Sequence, residues 1–349
     1  MDKDQIIDII NILSSTIPSY ENDCAHFPEK GYECFPISKE NFHSFKSAVS
    51  DRKIAFVDGG NAEILKAPNF SLHFIRVFAS VYQGRNKLAM KKYEFYALIH
   101  SAAEGNEIVY KTNLFPVKES ALLDGNELSF SSFDQTLRSG MHRADISRVG
   151  DAARRFAELN AAAEITKNLD ANDLIVLDGT LQATLTNEEK HLEELYQKAA
   201  AKNIIVSALA KTSSIFTKKG NSMAGILNEI GQNEKWFYYP VANISNDGHK
   251  VKLFFVKLHE KSNYVFRFEV YNRSEFKPDE LFSSIAGISK DPVFLGYPYG
   301  LIEADRFARV SNEEKESLKI QFIVKSGKTW NKLIKYVNSV NAHDVLDSI

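Results

Sequence analysis

Cysteine is scarce: Cys24 and Cys34 are the only two in 349 residues. Two thiols without zinc-site company exclude a disulfide scaffold, and they read as reduced thiols of a cytosolic protein. Long apolar runs are missing as well. No stretch approaches the roughly 20 apolar residues of a membrane-spanning helix, and the opening Met-Asp-Lys-Asp does not read as a secretory signal. The expectation is a soluble, cytoplasmic protein with no membrane partner. Charge of one sign is lacking too, since 43 basic against 45 acidic residues leave a net charge of -2. A general nucleic-acid coat would be strongly basic, so any DNA contact must use a local basic surface. There is no Walker motif, Ser-His-Asp signature, zinc motif, internal repeat or low-complexity segment. What remains is an ordinary globular composition, 44% hydrophobic and 25% charged, in a chain long enough for one large or two ordinary domains.

Two short stretches stand out against this plain background. One reads Lys53-Ile-Ala-Phe-Val-Asp58-Gly59-Gly60, the other Asp173-Leu-Ile-Val-Leu-Asp178-Gly179-Thr180. Each is an apolar, β-branched run that predicts a buried strand, with a glycine after the aspartate to end it. A carboxylate at the tip of a buried strand is held rigidly, and the glycine lets a charged ligand approach the backbone. Parallel neighbouring strands lie roughly 4.8 Å apart, which would aim both carboxylates into one space. Paired divalent cations in hydrolytic sites sit roughly 3.5–4 Å apart and suit such a space. Taken singly, each Asp-Gly step also reads as a turn cap.

The surrounding order gives the pair its meaning. Residues 4–17, with Ile6, Ile7, Ile9, Ile10, Ile12, Leu13 and Ile17, predict a helix with a broad apolar face, packed on the core or serving a dimer or partner contact. Residues 18–50, punctuated by Pro18, Pro28 and Pro36, look irregular until a polar helix near 39–50. A loop is expected over Asn61–Asn69, then strands over 71–82, 92–100 and 106–115, the first two joined by a basic hairpin with Arg85, Lys87, Lys91 and Lys92. Those cations could touch phosphates or could be merely solvated. After a mixed segment over 117–150 come an alanine-rich helix over 146–168, the Asp178 strand, a helix over 187–202 capped by Asn187, and a strand from Asn203. A three-strand meander followed by helix, strand, helix, strand is the chain order of a ribonuclease H-like α/β fold, a mixed sheet flanked by helices. In that fold the first and fourth strands are parallel neighbours. Further strands are expected near 236–239, 251–258 and 263–271, a helix near 278–287, and a C-terminal docking helix bearing Trp330, Leu333, Ile334, Val337 and Val340. The expected division is a helical region over 1–50, a ribonuclease H-like domain over 51–315 and a docking helix over 316–349.

Other residues are candidates by position. Mg²⁺ and Mn²⁺ prefer octahedral oxygen shells, so a third acid is needed. Glu158 lies on the helix before the Asp178 strand, four residues after Arg154, where a solvated ion pair is the plainer reading; Glu164 is the competing acid. Lys211 leaves the strand that ends at Ala210 and could bind a scissile phosphate or simply enter solvent. Tyr297 precedes Pro298, which fixes its backbone as extended, and could stack on a base or bind a phosphate. Asp305 sits in the second turn of the helix that begins near Leu301.

Together these segments resemble the NurA nucleases. The resemblance rests on Phe-Val-Asp58-Gly, Arg-Arg-x-x-Glu158, Leu-Ile-Val-Leu-Asp178-Gly-Thr-Leu, Ser-x-x-x-Lys211-Thr-Ser and Gly-Tyr297-Pro298-Tyr-x-Leu-Ile-x-Ala-Asp305-Arg, spread over roughly 55–310. It implies a homodimer with a DNA channel, and 5′-to-3′ exonuclease and single-strand endonuclease activity on single- and double-stranded DNA ends. It also implies a HerA-type hexameric ATP-driven translocase as partner, in DNA end resection for recombinational repair. The implied cofactor is Mn²⁺, with Mg²⁺ as the alternative, two ions per site. Asp58 would bridge them and Asp178 and Glu158 would complete their shells, with Lys211 and Tyr297 as further site residues. Some relatives carry a histidine where this chain has Asp305; an aspartate can supply a ligand but not a histidine's proton chemistry near neutral pH. A non-catalytic DNA-end adaptor of the translocase, or an actin-like ATPase or sugar kinase, are the alternatives.

Overall fold

The Asp58 strand does not stop at its glycines. In the computed structural model, which describes residues 3–16, 19–48, 50–118 and 122–337, it runs unbroken as Lys53–Ala67. Its first half, Ile54 to Val57, is buried on both faces; its second half alternates, with Ala62, Ile64 and Leu65 inward and a bulge between Glu63 and Leu65. The expected loop over Asn61–Asn69 is therefore strand, because Asn61-Ala62-Glu63-Ile64 still alternates as a half-buried strand does.

The chain divides into two units. One comprises residues 52–177, 183–204 and 300–349. Its mixed sheet has the order Leu174–Asp178, Lys53–Ala67, Phe70–Gln83, Asn86–Glu104, Glu107–Pro116, Phe130–Ser131. The long strands form an antiparallel meander, with Gln83 opposite Asn86 across a two-residue turn in which Gly84 takes φ 57°. The expected basic hairpin is thus mostly strand. Leu174–Asp178 pairs in parallel with Lys53–Ala67, from Ile54 opposite Leu174 to Val57 opposite Leu177. A meander whose first strand takes a parallel neighbour after a crossover helix is the arrangement expected of a ribonuclease H-like core.

The crossover helix, Arg148–Ile165, lays Ala152, Ala153, Phe156, Ala157 and Leu159 inward. Small residues let it come close to the sheet: Gly150 faces His73 so tightly that an added Cβ would lie 2.4 Å from Nδ1. Glu188–Ala200 follows the Asp178 strand, but Asn187 does not cap it by its side chain. Asn187 takes φ 71° and its amide donates instead to the carbonyl of Glu127. Trp330, on the helix Trp330–Val337, packs on the cluster of Ala62, Ile64, Leu65, Leu72 and Phe74, and Val337 is buried. A preceding helix, Asn312–Ser326, was not legible as a separate element; its Leu318 and Phe322 pack on the same cluster.

The other unit comprises residues 1–51, 178–182 and 205–299. Its antiparallel sheet has the order Phe42–Ser44, Trp236–Tyr238, Val251–Lys257, Phe266–Tyr271, Ile205–Ala210. The polar helix expected near 39–50 is replaced by a single 3₁₀ turn, Lys39–Asn41, and the edge strand Phe42–Ser44, whose Phe42 packs edge-on against Trp236 and Tyr238. The N-terminal helix Lys3–Ser15 exists, yet Ile6, Ile7, Ile9, Ile10, Ile12 and Leu13 are all exposed. They lie on one broad face of the helix, and none of them is packed on the core. Ile17, Pro18 and Val340 lie outside the described residues.

Candidate active site

Asp58 sits in the middle of its strand, opposite Phe78, and is buried. Its Oδ1 accepts the Gly59 N–H at 2.8 Å. The following glycines make room, though for the protein itself. A Cβ on Gly59 would lie 2.6 Å from Glu158 Oε1, and one on Gly60 would lie 2.4 Å from the Ala308 carbonyl oxygen. Gly300 performs the same service from the helix Tyr299–Ala308, where a Cβ would come 2.0 Å from Phe56. These three contacts draw the Glu158 side chain and the Asp305-bearing helix tightly onto the Asp58 strand. As a result the carboxylates of Asp58 and Asp305 bring ligand oxygens within 4.8 Å of each other.

Glu158 is buried, which overturns the solvated ion pair that its spacing suggested. It does pair with Arg154, while Arg155 Nη1 lies 3.7 Å from its other oxygen. Arg154 has its pKa raised, chiefly by Glu158 and, against the opposing effect of burial, also by Asp58 and Asp151. Arg155 is fixed from behind by Glu188, at 2.7 Å. Glu164, the rival acid, faces Lys167 and Lys198 instead, at 2.5 and 3.5 Å.

The helix carrying Asp305 is clamped to the meander. Glu303 accepts the Tyr82 hydroxyl at 2.8 Å and pairs with Lys87. Lys87 is therefore a structural partner and not a solvated hairpin tip. Lys92 lies 3.1 Å from Glu94, and Lys91 stands over the Tyr93 ring.

Asp178 follows directly on Leu177, the register partner of Val57, so each strand delivers an aspartate one residue beyond the same paired position. Asp178 is also the first residue of the 178–182 segment grouped with the other unit. Within that unit Lys211 Nζ lies 2.6 Å from Asp178 Oδ2, so the lysine turns to the carboxylate rather than away into solvent. The Tyr297 hydroxyl donates a long hydrogen bond, 3.4 Å, to Asp178 Oδ1. Tyr297 is fully buried with its ring stacked on Phe294 at 4.8 Å, so its hydroxyl, and not its ring face, is what it contributes. Stacking on a base is excluded for a ring so enclosed. Behind Asp178, Gly179 turns at φ 103° and donates to the Leu209 carbonyl, and Leu181 N–H donates to Glu269.

Against this geometry the comparisons fall into place. The NurA domain model matches residues 52–310, well over half of the chain. The chain belongs to the NurA family. Family membership supports a nuclease-like function. Among solved structures, the catalytic domain of human Endonuclease V is similar at 9% identity and TM-score 0.38, over 81% of this chain and 92% of that one. Aquifex aeolicus Argonaute is similar at 10% identity and TM-score 0.32, over 73% of this chain and 28% of that one. No curated protein matches the chain by sequence. Among the described residues, no helix is long and apolar enough to cross a membrane.

Sequence reasoning named Asp58, Glu158, Asp178, Lys211, Tyr297 and Asp305; it overlooked Glu269 and Arg267. Their signal was a charged pair two residues apart, Phe-Arg267-Phe-Glu269-Val, inside an otherwise apolar strand.

Proposed function

We propose that this chain is a divalent-metal-dependent deoxyribonuclease in which Asp58, Asp178 and Asp305 hold the ion. The observation that carries the reading is the donor set, three aspartate carboxylates grouped as a candidate cation site in a NurA chain. All are hard oxygen donors, with neither sulfur nor imidazole, which fits Mn²⁺ or Mg²⁺. Bound there, such ions would lower the pKa of a water molecule and neutralise charge on the phosphate and the leaving 3′ oxygen.

The remaining work falls to the side chains. Asp58, buried and braced by its own Gly59 N–H, is the most rigid ligand. Lys211 holds Asp178 and offers a positive charge to a non-bridging phosphate oxygen. The Tyr297 hydroxyl limits the rotation of the same carboxylate. Glu158 is a further ligand, reached by releasing Arg154, whose guanidinium is then free to meet phosphate. Cleavage adds water across the P–O3′ bond, leaving a 5′-phosphate and a 3′-hydroxyl.

The finer reading extends the family expectation: a cytoplasmic homodimer cutting single- and double-stranded DNA ends 5′ to 3′, driven by a HerA-type hexameric translocase in break repair. The test is 5′-labelled DNA, single- and double-stranded, incubated with protein in Mn²⁺, Mg²⁺ or EDTA, beside Asp58→Ala. Mn²⁺-dependent cleavage that EDTA and Asp58→Ala abolish is the expected result. Absence of cleavage by wild type, even with its cognate translocase and ATP, would leave a DNA-end adaptor as the better account.

A further inference from the structure

Glu269 is fully buried in the strand Phe266–Tyr271, an expensive place for a carboxylate unless it has partners. It has four. Arg267 Nε donates to its Oε1 at 2.6 Å, with the Nη2 group also paired to it. His249 Nε2 lies 3.1 Å from the same oxygen, and the Tyr32 hydroxyl lies 2.8 Å from His249 Nδ1. With Tyr32 donating to Nδ1, the proton sits on Nε2, which approaches Glu269 as a close electrostatic contact rather than an aligned hydrogen bond. Burial pushes the Tyr32 hydroxyl up to about 12, which keeps it a donor. The remaining oxygen, Oε2, accepts the backbone N–H of Leu181 at 2.7 Å.

That last bond gives the buried charge a purpose. Leu181 is three residues beyond Asp178, and Gly179 N–H on the Leu209 carbonyl also ties down the turn between them. A charge-assisted bond is shorter and stronger than the neutral bond an ordinary turn would make. The register places Glu269 opposite Ala208 and Arg267 opposite Ala210, the residue before Lys211. One buried pair thus lies along the strand that delivers Lys211 and grips the turn that delivers Asp178.

We propose that Glu269 is a positioning residue: by holding the Leu181 N–H it fixes the Asp178 carboxylate in the pose that takes a divalent cation. This rests on the proposed metal site. It is separable from a role in stability alone because Glu269→Gln keeps a side-chain oxygen for Leu181 while discarding the charge, whereas Glu269→Ala discards both.

Three quantities decide it: Mn²⁺ affinity by titration, exchange of the Leu181 amide hydrogen, and the melting temperature. Both variants should melt lower than wild type. Glu269→Ala should lose Leu181 protection and bind Mn²⁺ more weakly, by about tenfold or more as outer-shell changes commonly cost, while Glu269→Gln keeps most of both. Equal Mn²⁺ affinity in Glu269→Ala and wild type, or parallel losses in Ala and Gln, would overturn the proposal. Should Glu269→Ala fail to fold, Arg267→Met/Glu269→Met removes both buried charges, refills the space and still leaves Leu181 without its acceptor, so the same weakening is expected. A wild type that neither binds Mn²⁺ nor cuts DNA refutes the metal site itself. Leu181 exchange then still judges the clamp, because an amide equally protected in Glu269→Ala and wild type shows that Glu269 holds nothing.

Discussion

Asp58-Gly59 and Asp178-Gly179 look alike in sequence and behave differently in the backbone. At Asp58 the strand continues for nine residues beyond the aspartate, to Ala67, and the glycines are there because Glu158 and Ala308 press against them. At Asp178 the strand ends, Gly179 turns at φ 103°, and nothing lies within 4 Å of where its Cβ would stand. One glycine is required by space and the other by conformation. An Asp-Gly step therefore marks a place where a side chain is costly, and only at Asp178 is it also the end of a strand.

The largest effect that probes this contrast is on activity. If both aspartates hold the same ion, Asp58→Ala and Asp178→Ala should each cut DNA cleavage by more than about a hundredfold, beyond what loss of an outer-shell partner costs. Steady-state cleavage of labelled DNA reads it; substantial activity in either variant would break the symmetry assumed here. Lys211→Met should fall between, losing about 10–100-fold in rate. Its pair with Asp178 is a third exposed on the lysine side and so contributes little to folding, and the melting temperature should barely move.

The glycines should separate by cause. Gly60→Ala drives a Cβ into the Ala308 backbone, and overpacking of that kind costs about 1–3 kcal/mol. Gly59→Ala should cost less, because the atom it meets is the far end of a side chain. Gly179→Ala meets no atom but adopts a left-handed backbone, at about 1–2 kcal/mol, and Gly179→Asn should recover part of it. Denaturant unfolding of the three, with equal m-values, checks the order.

The smallest effect is on pH. Beside the Asp58 strand, His73 is buried and its pKa falls to about 4, mainly through burial. The unfolded chain takes up that proton near pH 6.5 and the folded chain does not, so stability drops as pH falls from about 6.5 to about 4. Glu269, in the other unit, has its pKa raised by burial and lowered further by Arg267, His249 and Leu181, to about 2. Its contribution is present above about 4.5 and is lost only as pH falls toward 2. Melts between pH 7 and 5 should therefore report His73 together with His191, whose pKa burial also lowers, and His73→Gln should remove about 1–2 kcal/mol of the loss.

How much of this was legible follows from what each feature depends on. The meander, the crossover helix and the parallel return are local patterns of period and composition, and they read directly from the chain. The extent of the Asp58 strand did not, because Gly59-Gly60 looks like punctuation until Glu158 and Ala308, about 100 and 250 residues away in sequence, are seen against it. Glu158 illustrates the same limit: i,i+4 spacing shows the Arg154 pair but not that the helix face is buried. Asp58, Asp178, Lys211, Tyr297 and Asp305 were named from short motifs, whereas Glu269 was hidden because its use lies in a backbone N–H, which no side-chain motif records.

The central claim is that Asp58, Asp178 and Asp305 take one cation site between them. Titration of Mn²⁺ into wild type and into Asp58→Asn, Asp178→Asn and Asp305→Asn tests it without any substrate. Each substitution should weaken binding, and no double variant built from two of them should lose as much as the sum of its singles, as expected when ligands share an ion. Wild-type affinity in any one of the three would remove that residue from the site, and wild-type affinity in all three would contradict the account.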